Sequence, residues 1–437
     1  MNTTVEKPTD SMVSVVDIQK AYQVLKGVVN HTPLMLNPLL SERYQARIYL
    51  KREDLQNVRS YKIRGAYYKI SSLTPDEHKQ GIVCASAGNH AQGVAYACQK
   101  LKVKGTIFMP SPTPRQKVDQ VNLFGKEWVD IRLTGDTFDD AFAQATRFCE
   151  ENQQVFIHPF DDPHVIAGQG TVGLEILADI PETPDYVIVP IGGGGLASGV
   201  GSYIKQVNGN INLVGVEPKG APAMQQSLVQ QTPVLLEKID KFVDGAAVQK
   251  VGDLTFKICQ QILDRVDTVD EGQVCTTILK LYNEQAIVVE PAGALTIANL
   301  EQIKDEIKGK TVVCVVSGSN NDITRMEEIK EKSLLYEGLK HYFLIDFPQR
   351  SGALREFLLN ALGESDDITH FEYVKKHNKE KGMAVVGIEL QKSLDYDALI
   401  QRFDQHHVQY MLLNQQPSLL RDETKISFPI YVSNLYN

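Results

Sequence analysis

From about residue 13 to about residue 325, short Val/Ile-rich runs alternate with stretches of helical length. Ile82–Ala85, Thr106–Met109, Glu127–Leu133, Tyr186–Val189, Leu213–Val216 and Thr311–Val316 each read as a strand. Most stop at a proline or a glycine-rich turn: Pro110, Pro190, Glu217-Pro218 and Ser317-Gly318-Ser319-Asn320. Ala91–Leu101 and Phe138–Glu151 read as helices between them. This alternation predicts a parallel sheet covered on both faces, a doubly wound α/β architecture.

Beyond about residue 325 the pattern changes. Met326 to Lys340 reads as a charged connector helix. A strand (His341–Phe347), a turn (Pro348 to Gly352), a helix (Ala353–Leu362) and a strand (Ile368–Lys376) follow. A turn at Glu380 to Gly382 then leads to Met383–Glu389 (strand), Tyr396–His406 (helix) and Val408–Leu413 (strand). The order βαββαβ is that of a ferredoxin-like unit.

Length and composition narrow the function. At roughly 100–200 residues per domain, 437 residues suggest two to four domains. Apolar content of 43% and charged content of 23% are ordinary globular values, so general disorder is excluded. The net charge of −9 and the lack of a basic cluster argue against a nucleic-acid binder. Met1 to Met12 lack an apolar core, and no apolar run approaches a membrane span, so a cytoplasmic protein is expected. The six cysteines show no C-x-x-C spacing and read as small core residues.

Three glycine motifs differ in weight. Gly168-Gln169-Gly170-Thr171-Val172-Gly173 fits G-x-G-x-x-G but follows a turn, so close helix packing is the better reading. Gly192-Gly193-Gly194-Gly195-Leu196-Ala197 follows a strand and opens a helix, which marks an anion site. Taken alone, with Glu217 on the next strand, it also fits a dinucleotide site and hence an NAD-dependent dehydrogenase. Gly88 to Gly93 is not a P-loop, but Ser86, Asn89 and His90 sit where a helix start can hold a carboxylate. Lys62, between Tyr61 and Ile63 and before Gly65-Ala66, reads as a half-buried amine. Burial lowers a lysine pKa and frees the amine for Schiff-base chemistry. A phosphate loop, such a lysine and a carboxylate loop are the parts of a pyridoxal phosphate enzyme.

Residues 15–325 closely resemble the fold-type-II pyridoxal phosphate enzymes, in the branch of threonine dehydratases and serine racemases. The matching segments are KREDLQ (51–56), SYKIRGA (60–66), SAGNHAQG (86–93), GQGT (168–171), GGGGL (192–196), EPAGA (290–294) and SGSN (317–320). Residues 339–415 resemble the single ACT-like regulatory domain of the short-form biosynthetic threonine dehydratases. The resemblance implies a catalytic domain over 1–325, with a small subdomain at roughly 60–155 inserted in a larger one. A connector at 326–340 and a tail at 416–437 complete the chain.

By this resemblance Lys62 carries the cofactor and acts as general base. Gly192, Gly193, Gly194, Gly195 and Leu196 bind its phosphate, Asn89 its ring oxygen and Ser317 its ring nitrogen, with Glu290 near the ring edge. Ser86, Ala87, Asn89, His90 and Phe160 line the substrate. The implied reaction turns L-threonine into 2-oxobutanoate and ammonia. Isoleucine, with valine as second candidate, is the implied effector at Arg350, Ser351 and Gly352. A homodimer or homotetramer is expected. Serine racemases carry a second Ser where this chain has Ala87, and Asn where it has Phe160. A racemase-like cation site would pair Glu217 with an Asp at the position of Ala223, so no required divalent ion is expected. Serine dehydratase and serine racemase are the alternatives within the family, and an ACT-type sensor on an inactive scaffold is the non-enzymatic one.

Overall fold

The chain is described by a computed structural model covering residues 12–373 and 381–414. The polar N-terminal stretch before Met12, residues 374–376 of an expected strand, Glu380 and the tail 416–437 lie outside these. Among the described residues no helix is long and apolar enough to cross a membrane.

Among the described residues fourteen strands form three sheets. They are β1 (Leu34–Leu36), β2 (Arg47–Arg52), β3 (Ile82–Ala85), β4 (Gly105–Met109), β5 (Val129–Leu133), β6 (Val155–Phe156), β7 (Tyr186–Pro190), β8 (Asn212–Pro218), β9 (Arg265–Val269), β10 (Thr311–Val316), β11 (Lys340–Pro348), β12 (Asp367–Tyr373), β13 (Lys381–Glu389) and β14 (Tyr410–Leu412). The first sheet runs β1-β2-β10-β7-β8-β9 and the second β5-β4-β3-β6. Every pairing in these two sheets is parallel except β1 with β2, so the first sheet carries one antiparallel edge strand. All six residues of β10 and all four of β3 are buried, as continuous apolar runs covered on both faces must be.

The described residues up to Asp270, together with 286–321, form one compact unit. Its helices pack closely where glycines permit. The helix Pro163–Asp179 lies between the helices Lys62–Ser71 and Gly195–Val207. A Cβ on Gly168 would fall 2.6 Å from the Arg64 carbonyl oxygen, and one on Gly173 2.9 Å from that of Val200. The literal G-x-G-x-x-G match is thus a packing device. All six cysteines are buried free thiols.

Residues 271–285, with the described residues from Asp322 on, form the second unit. The segment 271–285 lies within the stretch that the sequence assigns to the first domain. Its helix, Glu271–Gln285, packs on the helix Met326–Tyr336, where Gly272 lies against Tyr336 and Thr276 shares a 2.8 Å hydroxyl hydrogen bond with Ser333. The rest of this unit is the antiparallel sheet β12-β13-β11-β14 with helices Ala353–Asn360 and Asp395–Gln405. Phe343, Phe347, Phe357 and Phe403 form its aromatic core. β13 begins at Lys381, so Lys381 and Gly382 belong to a strand rather than to the expected turn.

Candidate active site

Lys62 is the first residue of its helix and is half-buried. The backbone before it runs antiparallel to the loop after β10. Tyr61 N–H donates to the Ser317 carbonyl at 3.1 Å, and Ser319 N–H to that of Arg59 at 2.9 Å. Lys62 and Ser317, 255 positions apart in sequence, are thereby set by one short backbone bridge. The Lys62 amine donates to the Pro159 carbonyl at 2.8 Å. Burial lowers its pKa to about 8, against the opposing charge of Glu290.

The glycine loop leaves β7 and turns at Gly194, whose φ of +93° favours glycine. It opens the helix Gly195–Val207, which has no side-chain cap. A Cβ on Gly193 would lie 2.2 Å from Cδ1 of Phe160, and one on Gly195 2.9 Å from the Phe160 Cβ. Gly192 lies against Ala246, at 3.0 Å for an added Cβ, and Leu196 is buried. Phe160 therefore covers the loop, while its neighbour Pro159 receives the Lys62 amine. One dipeptide joins lysine and loop.

The third part starts after β3. Gly88 N–H donates to the Ser86 hydroxyl at 3.2 Å, and the helix Asn89–Leu101 begins without a side-chain cap. Half-buried Ala87 follows Ser86 in this turn. Asn89 Nδ2 donates to Glu290 Oε1 at 2.7 Å. Asn320 Nδ2 donates to Asn89 Oδ1 at 2.7 Å and to the Val58 carbonyl at 2.9 Å. A carbonyl can only accept, so Val58 sets the amide of Asn320, and Asn320 in turn sets that of Asn89. One Nδ2–H of Asn89 is left over. Glu290 is buried, and its pKa rises to about 7, chiefly from desolvation and the charge of Asp244. Hydrogen bonds from Asn89 and from the Asn320 backbone oppose the rise. Ser317 directly follows β10 and is almost fully buried.

The His90 side chain turns away from the helix start into the core. Its buried ring places Nε2 2.9 Å from the Ile157 carbonyl. Burial and the Lys62 charge push its pKa down to about 3, so the ring is neutral. Its backbone N–H remains at the helix start.

The structure thus brings Lys62, Asn89, Glu290, Ser317, Phe160 and the glycine loop together, partly through direct contacts and partly through their chain neighbours Tyr61, Pro159 and Gly318. Arg350, Ser351 and Gly352 belong to the second unit. There Arg350 forms a two-pronged pair with Glu356, at 2.9 and 2.5 Å, and Gly352 (φ +85°) precedes a helix without a side-chain cap. Glu217 accepts the N–H groups of Met224 and Gln225 at 2.7 and 2.8 Å, so its carboxylate caps the helix Ala223–Gln230.

Residues 25–318 match the family described as pyridoxal-phosphate dependent enzyme, and residues 331–421 that of the C-terminal regulatory domain of threonine dehydratase. The chain is 58% identical over 407 residues to the biosynthetic L-threonine dehydratase of Halalkalibacterium halodurans, covering 93% of this chain and 98% of the relative. It belongs to the threonine dehydratase family. The Bacillus subtilis biosynthetic L-threonine dehydratase is 57% identical, over 94% of this chain and 97% of its own. Among solved structures, the processed form of threonine deaminase isoform 2 from Solanum lycopersicum superposes with a TM-score of 0.69 at 40% identity. That match covers 73% of this chain and 92% of the other.

A threonine dehydratase of this family is a pyridoxal-phosphate enzyme, and the residues present fit that cofactor. The donor set offers an uncapped helix start for a phosphate, an amine of lowered pKa for an aldehyde and a spare amide N–H for a ring oxygen. The close approach of Phe160 to Gly193 and Gly195 also leaves no room for a side chain on the loop. The sequence reading of this dehydratase missed Asn320, which lies inside SGSN, where its position two residues after Gly318 was the available signal.

Proposed function

We propose that the enzyme converts L-threonine to 2-oxobutanoate and ammonia, with serine as a slower substrate. The observation that carries this reading is the Lys62 amine, its pKa lowered by burial, linked through Pro159 and Phe160 to the glycine loop. Pyridoxal phosphate, when bound, supplies an electron-withdrawing ring that makes the Cα–H of an attached amino acid acidic. Lys62 takes the Cα proton as general base. Backbone N–H groups of Gly192 to Leu196 hold the phosphate. The free Nδ2–H of Asn89 donates to the ring oxygen, with Glu290 and Asn320 fixing its amide. Ser317, being neutral, meets the ring nitrogen without charging it. Ser86, Ala87, Asn89 and His90 receive the substrate carboxylate at their helix start, His90 through its backbone. Phe160 borders the substrate's methyl side. The supporting experiment is a 2-oxobutanoate assay with threonine and with serine. No product from threonine would end this reading.

Ala87 lies directly after Ser86 and offers only a methyl. A methyl cannot carry a proton to the second face of a substrate. Ala87→Ser is therefore expected to add measurable D-serine formation from L-serine, read by chiral chromatography. No D-serine above the parent's background would mean that Ala87 does not separate the two reactions.

We further propose a cytoplasmic homo-oligomer regulated by isoleucine, with valine as a second candidate effector. The turn Arg350 to Gly352 is the candidate lip, because the uncapped helix start after Gly352 can take an amino-acid carboxylate. The Arg350–Glu356 pair leaves that guanidinium a lesser part. A chain ended near residue 338 keeps the helix Met326–Tyr336 on its partner Glu271–Gln285. A chain ended at 325 would strip that partner bare. The chain ended near residue 338 is expected to stay active and to lose an isoleucine effect that typical couplings put at about 5–150-fold in apparent threonine affinity. Unchanged inhibition of the truncated enzyme would place the effector in the catalytic unit.

A further inference from the structure

We infer that Thr255, held in place by Asp161, is a positioning residue for the phosphate-binding glycine loop. This rests on the reading that the cofactor phosphate occupies that loop. Thr255 is fully buried, and its hydroxyl donates to the Gly193 carbonyl at 2.6 Å. The Gly252 N–H approaches the same carbonyl at 3.4 Å. A trans peptide points its C=O and the following N–H in opposite directions. Pinning the Gly193 carbonyl to Thr255 therefore turns the Gly194 N–H away from Thr255. Gly194, at φ +93°, can otherwise rotate this peptide at little steric cost. The hydroxyl thus selects one of two ways the loop can present its donors.

Thr255 is itself fixed from a distance. It lies in the first turn of the helix Asp253–Ile262, whose N-cap Gly252 has no side chain to cap it. Asp161 supplies the cap. Its Oδ1 accepts the N–H groups of Leu254 and Thr255 at 3.0 Å each, and its Oδ2 that of Asp253 at 3.1 Å. The fit is close enough that a Cβ on Gly252 would lie 2.2 Å from Asp161 Oδ1. The segment Pro159-Phe160-Asp161 therefore touches the Lys62 amine, the face of the loop and the helix that orients the loop. It gives lysine and phosphate site a common frame.

The test titrates the cofactor-free full-length chain with pyridoxal phosphate and with pyridoxal, which has the same ring and aldehyde but no phosphate. Thr255→Val keeps the volume and removes the hydroxyl. It is expected to weaken pyridoxal phosphate binding about tenfold, the scale of one lost hydrogen bond to an ordered loop, and to leave pyridoxal binding unchanged. Thr255→Ser is expected to restore the parent affinity to within about twofold, because it keeps the same donor. Asp161→Asn keeps the side-chain shape but accepts through one oxygen only, so it loses the bond from the Asp253 N–H along with the charge, and is expected to shift the ratio of the two affinities in the same direction by a smaller factor. A purely structural role would lower the melting temperature and weaken both ligands alike, leaving their ratio at the parent value. That result, or an unchanged pyridoxal phosphate affinity in Thr255→Val, overturns the inference. A parent protein that binds the two compounds equally removes the phosphate from the loop, and the inference falls with that reading.

Discussion

Lys62→Ala is expected to lower 2-oxobutanoate formation from threonine by at least about 10²–10⁴-fold, the range for loss of a positioned general base alone. The true loss should exceed this, because the same amine also anchors the cofactor. The protein should still bind pyridoxal phosphate without a covalent link, since the glycine loop does not depend on the lysine. Borohydride would then fix no cofactor to the variant. A rate above a few per cent of the parent, without added amine, would remove Lys62 from its place.

The same residue sets a pH profile. Aldehyde capture by the cofactor-free protein needs a neutral amine. The lysine pKa is lowered to about 8, so the neutral fraction grows as pH rises through that value. At pH 7.5 roughly a quarter of the amine is neutral, against about a thousandth for an ordinary lysine. The capture rate should climb roughly fifteenfold between about pH 6.5 and 8 and then level. A rate still rising tenfold per unit above pH 9 would show an unshifted lysine.

The parts of this molecule that could be read in advance are those decided locally. β3 and β10 keep their expected bounds because each is one unbroken apolar run ended by a turn. The helix Phe138–Glu151 keeps its bounds because Thr137 and Asp140 cap it reciprocally. Lys62 could be singled out because its apolar neighbours already indicate burial. What escaped depends on distant partners. β9 is polar and half-exposed at its sheet edge, and β1 is three residues long with two exposed, so neither carries a periodic signal. β13 runs through Gly382, where a side chain would meet Gln349 Nε2 at 2.7 Å, a constraint visible only once the strands pair. His90 shows the same limit within the site. Its place at a helix start suggested a ligand, but the ring turns inward to Ile157 while the backbone keeps the position.

Arg64 poses the sharpest stability question. It lies two residues beyond Lys62, fully buried, and Lys51, Glu53 and Glu175 are buried with it. Arg64 donates to Glu53 twice at 2.8 Å and to Glu175 at 2.7 and 2.8 Å. Lys51 donates to Glu175 and to the Thr32 carbonyl, both at 2.6 Å. Two buried cations face two buried anions, so these four are neutral together; Asp179 and His31 approach Lys51 and Glu175, each at 3.9 Å, and Thr32 and Thr171 satisfy remaining atoms. Such a cluster need not be more stable than an apolar one, but removing a single member leaves a buried charge alone. Arg64→Met is therefore expected to cost about 3–5 kcal/mol of unfolding free energy, read as a lower urea midpoint.

The pH dependence of that loss has a definite sign. Burial pushes the Glu53 carboxyl up, but the charge and hydrogen bonds of Arg64, with Lys51 and Thr32, outweigh it and hold the pKa below its ordinary 4.5. A carboxylate with a depressed folded pKa adds stability above its unfolded pKa and loses it as pH falls through the folded value. In Arg64→Met the balance reverses, because burial then acts on Glu53 with its main counter-charge gone. The variant should gain on the parent as pH drops from about 7 toward 4, and the gap between their urea midpoints should narrow. A gap that stays constant over that range would mean that Glu53 does not feel Arg64. Lys62 provides a second reading of the same change. If the helix Lys62–Ser71 loosens when its Arg64 anchor is lost, water reaches the lysine. Its pKa then moves up from about 8 toward 10.5, and aldehyde capture shifts to higher pH. A midpoint that falls while the capture profile stays in place would make the four-charge cluster a support for the fold alone, with no hold on the catalytic amine.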